Sequence, residues 1–205
     1  SPPASAVPIA ITGVGLRTPI GTTALQTTTS VLAGLNRFRE WPHLGLDLGE
    51  DGPGLPTASA IAGLGDATWQ DKADALARPA VEEALHAARW FRASDLVNAH
   101  GREAVALYLA APYPMDASVP DCEAGLDAVG DAIGDFVVGL GEIPSVADPV
   151  AHASGIRCIA AAMRDLHEQR IDVAIVCGLD SLLETEWLAR GIVDRIVKLE
   201  DTATG

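Results

Sequence analysis

The amino-acid sequence predicts an α/β fold, a mostly parallel sheet flanked by helices. Three observations carry that expectation. Ala104–Ala110 and Val173-Ala174-Ile175-Val176-Cys177 are continuous apolar runs, the pattern of strands covered on both faces. Segments between the strand candidates place apolar residues at helical spacing. The resulting order is strand, helix, helix, strand, helix, turn, helix, strand, which suits helices layered on a parallel sheet.

The first strand candidate is Val7–Thr12, closed by Gly13-Val14-Gly15. Leu16 to Thr23 reads as a loop into a helix that Thr22 or Thr23 caps, running to about Leu32 and ending before Gly34. Residues 36–70 contain recurrent Gly and Pro and no clean period, so they read as a long loop with short pieces of structure. Lys72 to Trp90 is an amphipathic helix whose apolar stripe is Ala73, Leu76, Ala77, Ala80, Val81, Ala84, Leu85 and Ala88. Pro79 lies inside it and either kinks it or marks a later start. The strand Ala104–Ala110 is broken by Ala111-Pro112-Tyr113-Pro114. An acidic helical stretch follows at 116–135, and Phe136–Leu140 either extends it or forms a short strand.

The chain is organised around residues 150–180, a turn, a helix, a tight connection and a buried strand. Ala153, Ser154 and Gly155 are small, so the backbone can turn closely and a neighbouring segment can pack on it. Ile156, Ile159, Ala160 and Met163 take core-type spacing on the helix, with Arg164, Asp165, Glu168 and Gln169 on a wetter face. Gly178 ends the strand. Beyond it, Leu179 to Arg190 suggests a short helix and 192–199 a further element.

With 205 residues, 48% of them apolar, the chain is long enough to bury a sizeable core and too apolar for disorder. The net charge of −14 argues against a nucleic-acid surface, which needs clustered Lys and Arg. No apolar run reaches membrane-spanning length. Cys122, Cys158 and Cys177 form no CxxC or metal spacing, and buried free thiols in a reducing cytoplasm fit them best. Gly13-x-Gly15 lacks the third Gly of a dinucleotide fingerprint, where Thr18 stands, and the P-loop Lys.

Residues 9–21, I-A-I-T-G-V-G-L-R-T-P-I-G, and the unit at 150–180 together resemble the β-ketoacyl synthases of the thiolase superfamily. Ser154-Gly155, Asp172 and Gly178 fall at positions that match the family's nucleophile helix and following strand. The resemblance implies a thiolase-like layered α/β fold, with this chain as the N-terminal half of a two-half unit. Gly13, Gly15, Ser154, Gly155 and Gly178 are then structural turn residues. Two departures stand out. His152 occupies the position of the nucleophilic Cys, and Cys177 replaces the first Gly of the usual pair. The family's active-site histidines belong to the C-terminal half, and His43, His86, His100 and His167 do not match those motifs.

The resemblance implies fatty-acid or polyketide-type chemistry, no cofactor, and acyl carrier protein or acyl-CoA as partners. The acidic balance argues mildly against ordinary carrier docking, which uses basic residues. The implied assembly is a homodimer, or a heterodimer with a ketosynthase-like subunit, through the strand at 172–177. A helix N-terminus favours a thiolate and disfavours an imidazolium, so His152 is expected to be neutral and unable to store an acyl group as a thioester. His152 with Asp148 or Asp180 has no recognised metal spacing. Four readings stay open: a non-condensing structural partner, an acyl-binding or decarboxylating subunit, an acyltransferase using His152, and an unrelated α/β domain.

Overall fold

The computed structural model describes residues 8–40, 46–47, 53–54, 57–61, 63–64, 69–110 and 154–179. Its helices are α1 (Ala24–Leu32), α2 (Trp69–Ala87), α3 (Ala93–His100) and α4 (Ser154–His167). Its strands are β1 (Arg39–Glu40), β2 (Leu46–Asp47), β3 (Pro53–Gly54), β4 (Thr57–Ala58), β5 (Val105–Ala110) and β6 (Val173–Gly178). The chain divides into two units. One takes in residues 1–17 and 68–180, the other 18–67 and 181–205.

In the first unit β5 and β6 pair in parallel, in register from Val105 opposite Val173 to Ala110 opposite Gly178. Hydrogen bonds from Asp172 N–H to the Ala104 carbonyl (2.7 Å) and from Leu179 N–H to the Ala110 carbonyl (2.8 Å) extend the ladder at both ends. A parallel pair requires a crossover, and α4 lies within it. The two-residue period of β5 splits its side chains between two cores. Val105, Leu107 and Leu109 join Ala77, Val81 and Leu85 of α2, Leu96 of α3 and Cys177. Tyr108 and Ala110 join Cys158 and Ala162 of α4. The expectation of a strand covered on both faces therefore holds for β5. On β6 only Cys177 is buried within the strand, and Val176 is 39% exposed.

α2 matches the amphipathic reading but starts at Trp69 and ends at Ala87. It runs through Pro79, which has no N–H to offer the carbonyl four residues back. Its C-terminus is a Schellman motif: Arg89 N–H bonds to the His86 carbonyl (2.9 Å) and Trp90 N–H to the Leu85 carbonyl (2.8 Å), with Arg89 at φ 69°. Trp90 itself packs on the core that contains Leu85. α3 is absent from the sequence expectation. It has an arginine at the N-cap with no side-chain capping bond, so it lacks the usual start signal. Leu96, fully buried, anchors it.

Two expectations for this unit are corrected. Pro8–Thr12 is not a strand; residues 8–17 form no regular secondary structure. A strand exists only where a ladder partner takes its N–H and C=O groups, and this segment instead runs against α2. Leu16 N–H donates to Glu83 Oε2 (3.0 Å). A Cβ added at Gly13 or Gly15 would collide with the backbone carbonyl of Ala84 or Ala80, so both glycines serve close approach to α2. The second correction concerns α4, which turns its other face inward. Ile156 is 73% exposed, and Ile159, Ala160 and Met163 are also exposed, while Cys158 and Ala162 are buried. The small side chains let the helix sit close to Ala106, Ala110 and Ala174, a fit that the bulkier stripe does not offer.

In the second unit, Thr18 and Gly21 exchange backbone hydrogen bonds of 2.9 and 3.2 Å across Pro19-Ile20. A Cβ at Gly21 would strike the backbone of Thr27, the buried threonine whose Oγ1 lies 3.0 Å from that of Thr18. α1 then starts and stops as its sequence dictates. Thr23 is the N-cap and accepts from Gln26 N–H (3.1 Å), while Gln26 Oε1 accepts from Thr22 N–H (2.9 Å). At the other end Gly34, at φ 69°, closes a Schellman motif through Gly34 N–H to Val31 (3.0 Å) and Leu35 N–H to Ser30 (2.9 Å). Among the described residues that follow, β1 pairs antiparallel with β4, and β2 with β3.

Candidate functional site

The site indicated by the sequence centres on the start of α4. Ser154 is the first residue of that helix and Gly155 the second. His152, Asp148 and Asp180 lie outside the described residues, as does Cys122. Gly178 is the last residue of β6 and partners Ala110 of β5. A Cβ added at Gly155 or Gly178 meets no described atom within 4 Å, unlike the same change at Gly13 or Gly15.

The thiols near this helix are buried and free. Cys158 lies one turn into α4, sealed between Tyr108, Ala110 and Ala162. Burial raises its pKa. Cys177 faces the opposite core, and burial pushes its thiol up to about 11. An attacking thiol must ionise and reach its substrate, and these two do neither readily at neutral pH. Neither can stand in for a thiol at position 152.

A polar cluster around Asp165 of the same helix has no counterpart in the sequence reading, which places Asp165 on the wetter face. Tyr108 Oη donates to Asp165 Oδ2 at 2.6 Å, and Arg170 Nη1 donates to Asp165 Oδ1 at 3.1 Å. Burial, then the bond to Asp165, holds the Tyr108 phenol well above its ordinary range. Both carboxylate oxygens are engaged, so Asp165 ties α4 to β5. One signal in the sequence points here: a tyrosine inside an otherwise aliphatic strand must find a partner for its hydroxyl when buried.

The remaining described histidines are exposed helix residues. His86 lies in the last turn of α2, His100 closes α3 with its Nδ1 3.5 Å from Asp172 Oδ2, and His167 closes α4. Among the described residues no group of three or more His, Cys, Asp or Glu is placed to hold a metal, and no helix is long and apolar enough to cross a membrane. No protein-family model and no curated protein matches the chain.

Proposed function

We propose that this protein is a ketosynthase-like subunit of fatty-acid or polyketide-type metabolism that does not condense, and that it acts as a partner or acyl-thioester-binding subunit. The reading rests on the resemblance of residues 9–21 and 150–180, with His152 where the family has its cysteine. One structural observation supports it: the helix that follows position 152 begins at Ser154 and leads into β6, which pairs in parallel with β5. The burial of Cys158 and Cys177 supports the loss of covalent acyl transfer.

The test is incubation of the protein with a labelled acyl thioester, followed by intact mass and peptide mapping. No acyl adduct on cysteine is expected. An adduct on any of the three cysteines, abolished by replacing that residue, overturns the reading. Malonyl-thioester decarboxylation is measured alongside in the parent protein and His152→Ala. Turnover that depends on His152 supports the acyl-binding subunit, and equal absence of turnover in both supports the non-condensing partner.

A further inference from the structure

We draw no further inference here: the strongest candidate, the exposed apolar face of α4 formed by Ile156, Ile159 and Met163, carries nothing because no feature of the structure shows what covers it.

Discussion

Tyr108 in β5 and Asp165 in α4, 57 positions apart, are joined by a 2.6 Å hydrogen bond from the phenol to the carboxylate. Tyr108 is almost fully buried, and Asp165 is also held by Arg170. The bond therefore fastens the crossover helix to the strand it covers. Bonds to charged groups contribute more than neutral ones, so Tyr108→Phe is expected to lower unfolding free energy by about 1–2 kcal/mol. Asp165→Ala is expected to cost at least as much, because it leaves a buried hydroxyl unpaired. Urea titration of both single variants and the double variant checks this. If the double variant loses the sum of the two single losses, the residues are not coupled and the account fails.

Alkaline pH should weaken the fold through two groups. Cys177 is raised to about 11 from an ordinary 9.0, and Tyr108 is raised from 10.0. Both folded values exceed the unfolded ones. Their contribution is therefore complete below the unfolded pKa and is lost as pH rises past it, because only the unfolded chain releases the proton easily. Stability should decline from about pH 9 upward, and Tyr108→Phe should decline less steeply above pH 10. Parallel profiles for the two proteins above pH 10 would count against a buried, bonded phenol.

The thiols offer an independent check on packing. Cys158 is fully buried and Cys177 6% exposed. Neither should react with iodoacetamide at pH 7.5 in the folded protein, and both should react in urea. Peptide mapping separates them from Cys122. Rapid modification of Cys158 without denaturant would contradict the packing of α4 on β5.

Helix ends give a test with opposite signs. Gln169 (φ 56°) and Arg89 (φ 69°) occupy the left-handed position that Gly34 fills at the end of α1. At the end of α4, Arg170 N–H bonds to the Asp165 carbonyl (2.9 Å) and Gln169 N–H to the Leu166 carbonyl (3.1 Å), the Schellman pattern again. A side chain in that conformation costs about 1 kcal/mol relative to glycine. Gln169→Gly and Arg89→Gly should each raise stability by about 0.5–1 kcal/mol, and Gly34→Ala should lower it by a similar amount. Thermal melts of the three variants decide the matter; a destabilised Gln169→Gly would show that the side chain contributes more than the backbone strain removes.

Gly13→Ala and Gly15→Ala should be costly, because the neighbour that must yield is the α2 backbone rather than a side-chain end. A loss of about 1–3 kcal/mol is expected, as for other overpacked contacts. Faster proteolysis within residues 8–17 should accompany it. Gly155→Ala, with no described atom within 4 Å of the added carbon, serves as the contrast. Equal effects at the three positions would mean that close approach is not why Gly13 and Gly15 are glycine.

Local chemistry alone determined much of this protein. Thr23, Gln26 and Gly34 bound α1 within a few residues, the alanine and leucine stripe defines α2, and unbroken apolar runs mark β5 and β6. The sequence also establishes that position 152 is histidine and that residues 153–155 are small, which is the legible part of the candidate site. Tertiary structure decided what depends on distant partners. α4 carries apolar residues on two sides, and the sheet accepts the side with Cys158 and Ala162 because small residues fit against Ala106, Ala110 and Ala174. Residues 8–12 have strand-like composition but no ladder partner among the described residues, and α2 captures the segment that follows through Gly13 and Gly15. Asp165 looks like a solvent-facing charge until β5 brings the Tyr108 hydroxyl to it. Capping and periodicity act over a few residues and are written in order along the chain. Face selection and strand pairing are choices between surfaces that only the folded chain brings together.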